Sequence, residues 1–395
     1  MPMRPCRVEI RTRALEENFR FLAGLAAPHA ELLAIVKANA YGHSLALCAP
    51  AVVRAGAKWL GVTSVEEGVA ARALCPEARV LVVSGVARGQ AAAAIDFALT
   101  PVVWERWQLD ELDAAARAAG VAAGSLAVHL EIDTGMSRQG VEPGELGGVF
   151  SRFAPGSPLR LEAVMTHLFA ADEADGAATS EQLQRLDGAL ERISAAGLFA
   201  EWLNVGASAA LLAGQAHAIA ELAERHGMKA LLRPGLALFG VIPEFDPAFE
   251  AEPPSLAAAR ATLQPVLAWK SAVMGVRSIP AGATIGYNAT FVATEPMRLA
   301  LIAAGYADGL DRALGNRFHL LVRGQRAPLV GRVSMDQAVI DVTEIAGVAA
   351  GDEVVLIGAQ GGETITACDH ARATKTIPWE IFTRISARVA RTAIE

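Results

Sequence analysis

Between residues 12 and 241, short runs of aliphatic and β-branched residues alternate with Ala-rich amphipathic stretches, and this alternation restricts the fold more than any other property of the chain. The strand-like runs are Glu31–Val36, Lys58–Val62, Arg79–Val83, Ala98–Val102, Leu126–Ile132, Leu159–Met165, Glu201–Val205 and Ala230–Arg233. Helical patterns fill the gaps at Ser44–Ala55, Ser64–Leu74, Trp104–Ala119, Pro143–Phe153 and Ser180–Ala196. Ser64 followed by Glu67 predicts a capping box at the second of these helices. Strands separated by helices pair in parallel, because a parallel neighbour needs a crossover. Eight such units in roughly 230 residues predict a (β/α)8 TIM barrel over 12–241. An open doubly wound sheet satisfies the same alternation.

Past Gly240 the texture changes. EFDPAFEAEPPS concentrates proline and acidic residues as a linker does. Beyond it lie β-leaning runs at Pro265–Ile279, Arg298–Ala304, His319–Val322, Leu329–Val333, Ala338–Val342 and Glu353–Ile357. Helical patterns follow near Thr366–Ala373 and Pro378–Arg391. Residues 242–395, joined by 1–11, are therefore expected to form a mostly antiparallel β domain.

The 395 residues are 53% hydrophobic with a mean hydropathy of +0.33, which provides ample core and excludes intrinsic disorder. A formal net charge of -7 argues against a nucleic-acid partner met through a broad cationic face. The four cysteines, Cys6, Cys48, Cys75 and Cys368, have neither zinc-ligand nor disulfide-framework spacing, so no metal is expected. MPMRPCRVEIRTRALEEN has no apolar signal region, and no stretch reads as a bilayer span. A cytoplasmic location is expected.

Barrels gather function at the carboxyl ends of their strands. By that rule Lys37, Arg138, His167, Ser208, Arg233 and Gly235 share one rim. Each has a structural reading as well. Lysines mostly solvate surfaces, a strand-end histidine can be a satisfied core residue, and buried arginines need only ion partners. Lys37, however, directly follows the apolar run LLAIV, where desolvation lowers an amine's pKa and makes it a nucleophile. Tyrosine occurs only three times, as Tyr41, Tyr287 and Tyr306, against 13 phenylalanines. So sparing a use points to the hydroxyl rather than to packing.

Eight segments in order, AIVKANAYGHS, DTGMSRQGV, VMTHLFAAD, NVGASAA, RPGLALFG, IGYNATF, GYADGL and GRVSMDQ, resemble the motifs of the alanine racemases over essentially the whole chain. The resemblance implies a pyridoxal-phosphate (PLP) enzyme, a cytoplasmic homodimer of barrel-plus-β-domain type that serves D-alanine biosynthesis. It implies that Lys37 carries PLP and acts as base on one face of alanine, with Tyr287 of the partner subunit as base on the other. Tyr41, Ser208 and the amides of Gly235 and Leu236 would hold the phosphate. Arg233 would meet the pyridine nitrogen, and His167 would pack on the ring. Arg138, with the Met335 backbone of the partner subunit, would receive the substrate carboxylate, and Tyr306 would narrow the entrance.

Three positions depart from the common pattern. Ser44 replaces a frequent glycine. Trp379, in TIPWEIF, stands where a tyrosine is common near the phosphate. Glu131 replaces a lysine that many members carbamylate. By strand alternation Glu131 faces inward, and its carboxylate is expected within direct or one-water reach of Arg138. Rival readings are a serine-type or broader racemase on the same scaffold, a barrel-type PLP decarboxylase, and a non-enzymatic PLP-binding protein.

Overall fold

The computed structural model describes residues 4–249 and 251–395. They form two compact units. One holds residues 13–40 and 48–264. The other holds the N-terminal residues to Thr12, then 41–47 and 265–395. Among the described residues no helix is long and apolar enough to cross a membrane.

Strand β1 (Arg7–Arg11) belongs to the second unit. The first unit is a closed barrel of eight parallel strands: β2 (Ala30–Ile35), β3 (Trp59–Val62), β4 (Arg79–Val82), β5 (Leu99–Val103), β6 (Leu126–Glu131), β7 (Leu159–Met165), β8 (Trp202–Ala207) and β9 (Lys229–Arg233). The expected eight units are present, each within two residues of its sequence-based start. Strands buried on both faces read as continuous apolar runs, and β3 and β5 are buried at every residue. Gly61 admits the β2 side chains: a Cβ there would lie 2.5 Å from Ile35 and 2.6 Å from Leu33.

Helices Leu45–Arg54, Val65–Leu74, Arg106–Ala118 and Ala177–Ala195 follow the sequence pattern. The expected helix over Pro143–Phe153 is instead three short turns, Pro143–Glu145, Gly147–Phe150 and Ser151–Phe153. Gly144, Gly147 and Gly148 explain the break, because glycine destabilises helix interiors. Ser64 accepts the Glu67 amide at 3.4 Å, so half of the capping box forms. The Glu67 carboxylate is diverted to the Thr63 and Asn39 amides, both at 2.9 Å. The proline-rich stretch carries a helix, Pro254–Thr262, that groups with the barrel.

The second unit is built on β10 (Leu267–Ile279), which pairs antiparallel with β1, Met297–Ile302 and Glu353–Gln360. The strand expected over Leu329–Val333 lies earlier, at Gln325–Pro328, where Arg323 and Gly324 with φ of 52° and 75° make the turn from His319–Val322. The final helix stops at Arg384 rather than Arg391, and Ala390–Ile394 instead pairs in parallel with β1. The Asp308 carboxylate is fully buried, and it binds Arg4 at 2.6 Å and Arg388 at 2.8 Å, joining both chain ends to the segment after Tyr306.

Candidate active site

Lys37 is the second residue beyond β2, after the buried Val36. The backbone then makes a left-handed turn, with φ of 52°, 53°, 56° and 52° at Ala38, Asn39, Ala40 and Tyr41. Each non-glycine residue there costs about 1–2 kcal/mol. The Glu67 bonds to the Asn39 and Thr63 amides hold the turn against that cost. Among the described residues the Lys37 amine has no ion pair. Burial holds its pKa below the usual lysine range, and the fields of Arg138 and Arg233 add to the effect.

Arg138 sits on a loop with a fixed backbone. The Asp133 carboxylate accepts the Gly135 and Ser137 amides at 2.8 and 3.1 Å. The loop is closed by Val141 N–H to Glu131 O at 2.8 Å and Asp133 N–H to Val141 O at 3.0 Å. Gly140, at φ 118°, must be glycine, because a Cβ would lie 2.4 Å from the Asp133 nitrogen. The exposed Arg138 side chain has no hydrogen bond or ion pair among the described residues, so its fork is available to a carboxylate.

Glu131 is 2% exposed and lies on the same strand face as His129. Its carboxylate accepts a hydrogen bond from Gln139 rather than from Arg138, and the Gln139 amide also donates to Val83 O at 3.2 Å. Burial pushes the Glu131 pKa up to about 7, against the opposing pull of Gln139, Arg233 and Arg138.

Arg233, 4% exposed, closes β9. One terminal nitrogen donates to the Asn204 carbonyl at 2.6 Å and to Asn204 Oδ1 at 2.5 Å. The other donates to Thr166 O at 2.8 Å and to His167 Nδ1 at 3.2 Å. Arginine carries five N–H donors. Four are used here, and Nε–H alone has no partner among the described residues. Since arginine can only donate, His167 must accept at Nδ1. Burial, with the Arg233, Arg138 and Lys37 charges, pushes the His167 pKa down to about 3, so the ring is neutral.

Ser208 Oγ, buried at the start of Ser208–Leu212, accepts the Gly235 and Ala237 amides at 3.0 and 3.2 Å. The Gly235 amide is thus engaged within the protein, whereas the Leu236 amide, at the start of the turn Leu236–Phe239, has no partner among the described residues. Lys37, Arg138 and Arg233 set three cations against the carboxylates of Glu131 and Glu67, a balance suited to a ligand carrying phosphate and carboxylate groups. A pyridine ring with a phosphate and an aldehyde fits this set: Lys37 offers an amine, Arg233 a single donor for a ring nitrogen, and the Ser208–Leu236 turns an anion site.

The remaining sequence-predicted residues belong to the second unit. Tyr41 is buried, and burial raises its hydroxyl pKa. Tyr287 and Tyr306 are 67% and 43% exposed, and Met335 is 54% exposed. Backbone bonds from Tyr306 N–H to Ser334 O and from Ala307 N–H to Met335 O, at 3.0 and 2.9 Å, hold Tyr306 beside Met335. Trp379 is half-buried in the helix Pro378–Arg384.

Residues 10–243 match the family of alanine racemase N-terminal domains, and residues 266–393 match that of the C-terminal domains. The chain belongs to the alanine racemase family. The alanine racemase of Symbiobacterium thermophilum is 39% identical over 392 residues, covering 98% of this chain and 97% of that one. The crystal structure of the alanine racemase from D-cycloserine-producing Streptomyces lavendulae superposes with a TM-score of 0.89 at 32% identity, over 100% of this chain and 98% of that one. The Bartonella henselae alanine racemase, with covalently bound pyridoxal phosphate, gives 0.82 at 27% identity over 99% of both chains. The alanine racemases are PLP-dependent isomerases, and this chain is an enzyme of that type.

Sequence reasoning missed four polar side chains: Gln139, on the loop after β6, which holds Glu131, and His129, Glu162 and Asn204 on barrel strands. A signal was present in two of them. His129 lies two residues before Glu131 and so shares its face, and Glu162 interrupts the apolar run LRLEAVM.

Proposed function

We propose that this chain interconverts L-alanine and D-alanine with PLP bound at the carboxyl rim of the barrel. The observation that carries this reading is the pairing in one barrel of a desolvated, unpaired Lys37 with an Arg233 reduced to one donor. When bound, PLP supplies an electron sink that makes the substrate Cα–H acidic.

The protein residues decide where the proton goes. Lys37 anchors the cofactor covalently and exchanges a proton on the D-face. Tyr287, contributed by the partner subunit of a homodimer, exchanges one on the L-face. A racemase needs both bases because the carbon is planar between the two transfers. Arg233 donates Nε–H to the ring nitrogen. Its pKa, pushed down by burial to about 10, still leaves it a cation at neutral pH, so it is a poor source of a ring proton. His167 orients the ring. Tyr41, Ser208, Gly235, Leu236 and Trp379 hold the phosphate, with Ser208 exchanging its internal amide contacts for it. Arg138, with the Met335 backbone of the partner subunit, takes the substrate carboxylate, and Tyr306 limits the entrance. Glu131 braces the Arg138 loop through Gln139 and through its charge. The place of work is the cytoplasm, and the product in the biosynthetic direction is D-alanine.

The test is a purified dimer showing absorption near about 420 nm that borohydride removes, together with conversion of L- to D-alanine. Parallel assays with serine and lysine address the broader-racemase reading. Faster turnover of serine than alanine, or carbon dioxide release, would replace this proposal.

A further inference from the structure

Arg233 does not end at the cofactor side. Asn204 Oδ1 accepts from the guanidinium at 2.5 Å, which fixes the amide orientation, because arginine has no acceptor atom. Asn204 Nδ2 therefore faces His129 Nδ1 at 3.1 Å and must donate to it. With Nδ1 accepting, the one proton of a neutral His129 sits on Nε2, which lies 3.4 Å from Glu162 Oε2. The other Glu162 oxygen accepts from Arg79 and, at 2.8 Å, from Arg160. Every hydrogen bond from Arg233 to Glu162 points the same way, from donor cation to acceptor anion.

The route crosses the barrel interior. Arg233 is the last residue of β9, while Arg79 opens β4 and Arg160 is the second residue of β7. Asn204, His129 and Glu162 are each 0% exposed. Buried polar groups at such depth cost free energy unless all are satisfied, so an apolar layer would have been the cheaper filling. The neutral state of His129 agrees with the geometry. Burial lowers its pKa, and this outweighs the raising effect of Glu162. Burial also acts on Glu162, but the His129 hydrogen bond and the Arg79 and Arg160 contacts prevail and hold its pKa below the usual carboxylate range. An amide cannot pass a proton on, so Asn204 makes the chain an orienting device rather than a proton wire.

We propose that Asn204, His129 and Glu162 are positioning residues that act through Arg233. Their one-way hydrogen-bond chain occupies one terminal nitrogen of the guanidinium and anchors it to a carboxylate at the opposite end of the barrel. Nε–H is thereby the donor left for the PLP ring nitrogen. This rests on the reading of Arg233 as the ring-nitrogen partner. Asn204→Asp is the discriminating variant: it keeps size and the contact to Arg233 but loses the donor to His129. With carboxylates at both ring nitrogens, His129 is expected to take a second proton.

Nitrogen NMR of histidine-labelled apoprotein should show His129 singly protonated on Nε2 from pH 6 to 8 in the wild type, and doubly protonated at pH 7 in Asn204→Asp. Asn204→Leu and Glu162→Gln should each weaken PLP binding to the apoprotein by about tenfold and raise pyridoxamine phosphate formed per racemisation turnover several-fold. A role in stability alone would lower Tm and leave that partition unchanged. A wild-type His129 protonated on Nδ1, or a folded Asn204→Leu with wild-type PLP affinity and partition, overturns the chain. Arg233→Lys separates the two readings. If it changes neither affinity nor partition, the Arg233 role fails, and the NMR result alone then decides the direction of the network.

Discussion

At the residue scale the site is a problem of charge balance. Three cations, Lys37, Arg138 and Arg233, are set among the carboxylates of Glu131, Glu67 and Asp133, and burial raises the pKa of Glu131 to about 7. A carboxyl with a folded-state pKa above its unfolded value binds more protons folded than unfolded, so stability falls as pH rises through roughly 4.5 to 7. Glu131→Gln removes that cost. It should raise thermal stability above pH 7, by on the order of 1–3 kcal/mol, while raising the Michaelis constant for alanine and leaving kcat nearly unchanged. In the wild type the Michaelis constant should rise as pH falls below about 7, and in Glu131→Gln this dependence should flatten. A variant with unchanged stability and kinetics would remove Glu131 from the substrate site. Lys37→Ala should abolish racemisation in both directions and leave no borohydride-sensitive absorption. Retention of either contradicts the lysine assignment.

At the element scale, strand alternation and crossover length were enough to place the eight barrel strands, because a doubly buried parallel strand has to be apolar and a crossover has to be helical. The rim residues followed from the strand ends. Less legible was everything set by competition for one partner. Glu67 sits where a capping box predicts it but serves the Asn39 amide beyond Lys37, and Gln139 takes the carboxylate that charge alone would give to Arg138. The left-handed turn after Lys37 was hidden too, since Ala38 and Ala40 carry no glycine signal. Glu67 is therefore a support for the lysine turn, and its charge also raises the Lys37 pKa. Glu67→Ala leaves two amides to water and should cost about 1–2 kcal/mol in denaturant unfolding. PLP retention during dialysis should fall with it. If stability drops and PLP retention does not, the turn is structural only. Ala38→Val should lose a further ~1–2 kcal/mol, since β-branched side chains fit positive φ poorly. An Ala38→Val protein as stable as the wild type would show that the turn is not left-handed in solution.

At the scale of the whole molecule, the second unit exposes a set of large apolar and aromatic side chains. Met274, Val292 and Met335 are 52, 52 and 54% exposed, and Tyr287 and Tyr306 accompany them at 67 and 43%. Scattered apolar exposure is ordinary, but these residues include every second-unit residue to which the family pattern assigns catalysis or substrate contact, apart from Trp379. Tyr287, at 67% exposure, is open to water in a single chain. Enclosure by a second copy would supply both the desolvation and the substrate, and a two-fold axis would repeat the exchange so that each dimer has two equivalent sites. The consequence is complementation. Lys37→Ala and Tyr287→Phe chains are each expected to be inactive as homodimers. Mixed after mild denaturation and refolding, they form heterodimers in which one site receives both lesions and the other receives none. Statistical assortment makes about half of the dimers mixed, each with one intact site of two, so activity should return to about one quarter of wild type. Differently tagged chains purified in tandem isolate the heterodimer, which should then show about half the wild-type turnover per dimer. Purified heterodimers without activity would mean that Lys37 and Tyr287 serve the same site from the same chain, and the shared-site reading would be lost.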